Sequence, residues 1–160
     1  MDKSDKLISM LGLEAHPEGG YFKETYRSPL KIHSPAVQAV RHAMTDIYFL
    51  LTSGQFSRFH QVKHDELWNF YEGGPLRLYD YDAVKAELKT IILGPMPDCD
   101  AYKYVIAADH WQAAEPMSGY TLAGCTVAPG FDFNDFSFFE KDSLERKRLM
   151  AIDPDLSRLI

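Results

Sequence analysis

The chain has 160 residues, of which 25% are charged and 46% hydrophobic, and a formal net charge of −6 at pH 7. That length suits one domain with a sizeable core, and an acidic balance without a long basic run excludes nucleic acid or an anionic membrane surface as the main partner. Two cysteines, Cys99 and Cys125, make no disulfide framework, and the absence of CxxC or Cys/His finger spacing argues against a structural zinc site.

Residues 1–12 contain Asp2, Lys3, Asp5 and Lys6 and too few consecutive apolar positions for a signal peptide. No window approaches the roughly 20 apolar residues of a membrane helix, so a soluble cytoplasmic protein is expected. Residues 4–11 read as a short helix, with Ser4 as cap, Leu7, Ile8 and Leu11 on one face, and Gly12 as stop. In the following HPEGGYFKETYRS segment, Pro17, Gly19 and Gly20 form a turn and Tyr21 to Arg27 alternate as a strand. Residues 29–45, with Pro29, Pro35, His33 and His42, read as a long loop or flap with surface histidines.

From Asp46 onward, short strands are predicted over 47–52, 56–62, 67–71, 76–81, 88–93, 102–107, 111–114 and 120–127. Turn signals separate nearly all of them: Ser53-Gly54, Gly73-Gly74-Pro75, Gly94-Pro95, Pro116 to Gly119 and Pro129-Gly130. This spacing, with an aromatic supply that favours strands, predicts an antiparallel sandwich or barrel. Residues 83–87 fit a hairpin tip. Asp142 and Glu145 have capping-box form and open a helix to about Ala151, which Pro154 breaks; Leu156 and Leu159 are then free to dock. The expected organisation is one domain over 1–160, with a barrel core over about 16–140 and a helical tail over about 142–160.

The stretch from Gly54 to Gly73 carries the chemistry. Alternate residues of a strand face one side, so Arg58, His60 and Val62 share a face, and Glu66, Trp68 and Phe70 share one on the next strand. With Lys63-His64-Asp65 as the turn, a hairpin sets His60 beside Glu66 on the concave side of a barrel. A plain hairpin with a buried histidine and a glutamate at its rim has the same spacing.

Gly54, His60, Glu66 and Gly73 fall where the first motif of the cupin superfamily has glycine, histidine, glutamate and glycine. With the EGGYF, WQAAEP and GCTVAPGFDF segments, residues 5–140 resemble a small-protein subfamily of the cupins, largely of uncharacterised function. The resemblance implies a mainly β fold, the double-stranded β-helix or jelly-roll barrel. The wider superfamily includes metal-dependent oxygenases and isomerases, metal-free sugar-nucleotide epimerases, storage proteins and ligand-binding domains, so fold leaves function open. Val62 stands where metal cupins have a second histidine, and Gln112 aligns with the histidine of their second motif, with Ala107 and Asp109 at its proline and glycine. One imidazole, one carboxylate and an amide hold a transition ion poorly. No cofactor is therefore expected, although a weak divalent metal at His60 and Glu66 stays open. His64, some 13 Å from His60 along an extended strand, reads as a turn residue.

The candidate site is then a cavity with His60 and Glu66 as catalytic candidates and Arg58, Trp68, Phe70, Arg77, Tyr79 and Gln112 as ligand-binding candidates. Aromatic walls with a few polar groups suit a small polar ligand, a sugar-like one included, and a histidine with a nearby carboxylate is the minimum for proton transfer. A metal-free sugar-nucleotide epimerase with His60 as base is the alternative, and a metal-dependent oxygenase or isomerase a further one. A closed core in which these groups satisfy one another has the same residues. A homodimer is expected from the surplus aromatics Tyr21, Phe22 and Tyr26 on an early strand.

Overall fold

The computed structural model describes residues 2–160. The strands are β1 (Glu14–Ala15), β2 (Tyr21–Arg27), β3 (Lys31–Ser34), β4 (Ala39–His42), β5 (Thr45–Thr52), β6 (Ser57–Val62) and β7 (Asp65–Gly73), then β8 (Leu76–Asp82), β9 (Glu87–Leu93), β10 (Lys103–Ile106), β11 (Trp111–Pro116), β12 (Tyr120–Ala128) and β13 (Phe136–Phe138). One antiparallel sheet runs β1-β2-β5-β12-β7-β10 and a second runs β13-β6-β11-β8-β9, giving the expected jelly roll.

Strand parity builds the core between the sheets. Phe49 and Leu51 of β5, Trp68 of β7, Leu76 and Leu78 of β8, and Ala123 and Cys125 of β12 pack in one buried cluster. At ~25 cal/mol per Å² of apolar surface removed from water, the leucine and phenylalanine side chains among these stabilise the fold by about 2 kcal/mol each.

Both helices lie outside the barrel. Helix α1 (Lys3–Leu11) lays Leu7, Ile8 and Leu11 on the outer face of the larger sheet, against Leu50 and Leu122. Its cap is Asp2, which forms a reciprocal capping box with Asp5, rather than Ser4. Helix α2 (Leu144–Ile152) starts one residue later than the sequence suggests, capped by Ser143, and ends before a 3-10 turn at Pro154–Leu159. Leu149, Leu156 and Leu159 cover the outer face of the smaller sheet, on Phe59, Tyr79, Tyr81 and Trp111.

Two expectations are corrected. Residues 31–42 are not a loop: β3 and β4 form a hairpin of their own, turning at Pro35 to Gln38 with Gln38 in the left-handed region at φ 51°. Strands β6 and β7 do not pair with one another; they belong to opposite sheets. The segment Lys63-His64 is a corner between sheets, so His60 and Glu66 approach across the sandwich rather than along a hairpin. Of the aromatics on β2, Tyr21 packs under α1, Phe22 enters the cavity described below, and Tyr26 is exposed.

Candidate functional site

A cavity of about 280 Å³ opens between the sheets where β2, β5, β12 and β7 face β6. Its apolar walls are Phe22, Ile47, Val62, Val127, Phe131 and Phe133. Its floor is charged: His60 from β6, Glu66 from β7, and Glu18 from the turn between β1 and β2.

Glu18 is held by the glycines that follow it. Gly19 (φ 109°) and Gly20 (φ 77°) occupy backbone conformations that disfavour any side chain. A Cβ at Gly19 would collide with the Phe56 carbonyl oxygen, and one at Gly20 would lie 2.7 Å from the Leu50 carbonyl oxygen. The turn therefore presses onto the barrel, where the Arg58 N–H donates to the Glu18 carbonyl at 2.9 Å. That backbone bond brings the Glu18 carboxylate to His60.

Both ring nitrogens of His60 face acceptors. Nδ1 is 2.8 Å from the Arg58 carbonyl oxygen and Nε2 is 3.0 Å from Glu18 Oε2. A carbonyl can only accept, so Nδ1 carries a proton, and the carboxylate favours a second on Nε2. Burial alone would lower the His60 pKa, but the charge and hydrogen bond of Glu18 outweigh it and push it up to about 9. The Glu18 carboxyl, which burial would raise, is held below its usual range chiefly by the His60 charge. The pair is an imidazolium with a carboxylate. His16 stays neutral: burial lowers its pKa, and its Nδ1 accepts the Glu18 N–H at 3.1 Å.

Glu66 has the opposite environment. Its Oε2 accepts from Gln112 Nε2 at 2.6 Å, and Gln112 Oε1 accepts the Trp68 indole N–H at 2.7 Å. Burial raises the Glu66 pKa, and the like charge of Glu18 adds to this against the His60 cation, leaving it at about 7. A glutamate that changes charge near neutrality sits beside an imidazolium that does not.

Charged groups nearer the surface are largely committed. Arg27 makes two hydrogen bonds to Glu24, at 2.9 and 2.8 Å, and two to the Phe131 carbonyl oxygen, both at 3.3 Å. Asp132 accepts from the Asn134 backbone N–H at 2.9 Å.

The residues singled out from sequence divide accordingly. His60 and Glu66 line one cavity. Gln112 pairs with His60 in the β6–β11 ladder and lies beneath the floor, and Trp68 joins it there. Phe70 packs on the core rather than on the cavity wall. Arg58 contributes its backbone, while its guanidinium covers the Phe138 ring at 4.1 Å. Arg77 and Tyr79 are a correction: they lie on the outer face of β8, both on Glu115, which also binds Arg158. The inward parity on β8 belongs to Leu76, Leu78 and Asp80, because α2 buries the outer face as well. Glu18 and His16 were missed. The signal available was a carboxylate immediately before paired glycines, a turn built for close approach.

His64 sits at the corner as a turn residue and is buried there. Ser34 Oγ lies 2.7 Å from its Nε2, and Asp135 Oδ2 is 3.7 Å from its Nδ1. The order mimics a serine–histidine–aspartate relay, but Ser34 is 1% exposed and Arg41 holds Asp135 with two 2.7 Å hydrogen bonds. This cluster fastens the β3–β4 hairpin to the barrel.

A transition ion does not fit the donor set at the floor. It would need a ring lone pair, and both His60 nitrogens are directed at acceptors. Val62 adds an apolar wall, and among the described residues no group of three or more His, Cys, Asp or Glu side chains is arranged to hold a metal.

A family model described as "Cupin superfamily (DUF985)" matches residues 5–139. A hypothetical protein from Leishmania major superposes with a TM-score of 0.83 at 27% identity, over 99% of this chain and 98% of the other. Protein SO0799 from Shewanella oneidensis gives 0.82 at 32% identity, again over 99% and 98%. The Uncharacterized protein YML079W of Saccharomyces cerevisiae is 27% identical over 91% of this chain and 79% of its own.

Proposed function

The chain belongs to the cupin superfamily, in the family described as DUF985, and from that fold and the charged floor of its cavity we propose that it binds a small polar organic molecule inside the barrel. The carrying observation is the meeting of an apolar-walled cavity of about 280 Å³ with the buried Glu18–His60–Glu66 group. Apolar walls supply burial and a few convergent polar groups fix orientation.

The epimerase alternative needs a free ring nitrogen to take a proton, and an imidazolium with a pKa near 9 is an acid, not a base, at neutral pH. A diphosphate needs unpaired cations, whereas Arg27 is engaged by Glu24 and the lining holds four carboxylates, those of Glu18, Glu24, Glu66 and Asp132. A small ligand without phosphate suits that charge.

The test is a thermal-shift and native mass spectrometry panel of small polar compounds, run on the wild-type protein and on Val127→Phe, which fills the cavity from its wall. Shifts with the wild type that vanish in the filled variant are expected. A wild type that responds to no member, or a filled variant that responds equally, contradicts the reading.

A further inference from the structure

The floor of the cavity has two buried carboxylates and one cation. His60 is spoken for by Glu18 at 3.0 Å, and Glu66 has no cation of its own. Gln112 Nε2 donates to Glu66 Oε2 at 2.6 Å, and the Cys125 thiol, a weak donor, lies against the same carboxylate; Oε1 accepts from no described nitrogen or oxygen. Glu66 is 8% exposed, and that exposure is to the cavity. A buried carboxylate whose second oxygen has no nitrogen or oxygen donor, beside a cation already paired with Glu18, is costly, and a ligand that supplies a donor and a charge relieves it.

The rest of the lining points the same way. Toward the surface, Glu24 cancels Arg27, and Asp132 adds a further negative charge. The walls present Phe22, Phe131 and Phe133, whose faces attract cations and pack on apolar groups. Phe131 and Phe133 stand edge to face, with centroids 4.9 Å apart.

We propose that the ligand is a small primary ammonium compound with an apolar body, its NH₃⁺ group donating to Glu66 Oε1 and its body lying against Phe131 and Phe133. This rests on the reading of the cavity as a ligand site and names the ligand's class. A primary ammonium fits better than a quaternary one because the open carboxylate oxygen needs a hydrogen-bond donor as well as a charge. Neutral hydroxyl compounds supply the donor without the charge, and anions meet four carboxylates.

Proton linkage follows. Glu66 faces His60 and Glu18 across the floor, Cys125 on β12 and Gln112 on β11, while His16 stands next to Glu18. An ammonium group favours the ionised carboxylate, so binding releases a proton where Glu66 is still protonated and tightens as pH rises from 6 to 8. The ligand keeps its own charge over that range, as a lysine amine does.

Benzylammonium and benzyl alcohol share a body and differ in the group offered to Glu66, so calorimetry with this pair tests the proposal. The expected result at pH 8 is an affinity at least about tenfold higher for the ammonium, a smaller preference at pH 6, and a buffer-dependent enthalpy showing proton release. Glu66→Gln should abolish the preference in a folded protein that melts no lower than the wild type at the same pH. Equal affinities, or failure of both probes while a neutral polyol binds, overturn the ammonium assignment and leave the cavity reading standing. Silence from every compound overturns both.

Discussion

Glu18 Oε2 lies 3.0 Å from His60 Nε2, so the histidine of the motif takes its partner from an N-terminal turn rather than from the motif's own glutamate. The proton of that pair rests on His60, and the open carboxylate is that of Glu66.

Breaking the pair has a calculable cost. Glu18→Gln leaves a buried imidazolium facing an amide, and losing one partner of a buried ion pair costs about 3 kcal/mol. Chemical denaturation should give a loss of this size, and the His60 pKa should fall from about 9. An unchanged midpoint would show that the pair is not the main restraint on either residue.

Stability should decline with rising pH in two stages. Glu66 and His60 both bind their protons more tightly folded than unfolded, with pKa values raised from 4.5 to about 7 and from 6.5 to about 9. Their contributions are fully present below 4.5 and 6.5 respectively, and are lost as pH rises through 7 and 9. Glu18, held low, acts in the opposite sense and loses its contribution as pH falls below the ordinary glutamate range. Melting temperatures across pH 5–9 should fall, and Glu66→Gln should flatten the segment up to pH 7 only. A flat wild-type profile would contradict these assignments.

Gln112 joins two buried groups, so its loss orphans both. Gln112→Leu strips Glu66 Oε2 and the Trp68 indole N–H of their partners, and unsatisfied buried polar groups cost about 1–3 kcal/mol each. Denaturation followed by tryptophan fluorescence reads the loss; a variant as stable as wild type would mean that the two groups find partners elsewhere.

Arg77 and Tyr79 serve as internal controls. They bind Glu115 under the C-terminal 3-10 turn and do not line the cavity. Tyr79→Phe should cost about 1 kcal/mol through its lost hydrogen bond and leave ligand affinity unchanged. A weakened affinity would place this cluster in the binding site.

Much of the fold was legible because alternation, glycine turns and a broken terminal helix are local signals. Tyr21–Arg27 was recovered with both ends correct. The β3–β4 hairpin was missed because Pro29 and Pro35 read as loop punctuation, although they flank strands of only four residues each. The parity of β8 was misassigned because both of its faces are buried, one by the core and one by α2, which erases the polar–apolar contrast. In the site, His60 and Glu66 followed from motif spacing. Glu18 did not, since its partnership is long-range and rests on a backbone bond to Arg58 that no local pattern encodes.

The central claim is that His60 is a fixed imidazolium, which makes it neither a base nor a metal ligand and leaves Glu66 as the open group on the cavity floor. Long-range nitrogen–proton NMR of the His60 ring at pH 7.5 tests this most directly, with Glu18→Gln to assign the signal. The account predicts that both ring nitrogens are protonated and that the ring titrates near pH 9. A neutral ring with one bare nitrogen at pH 7.5 would contradict it.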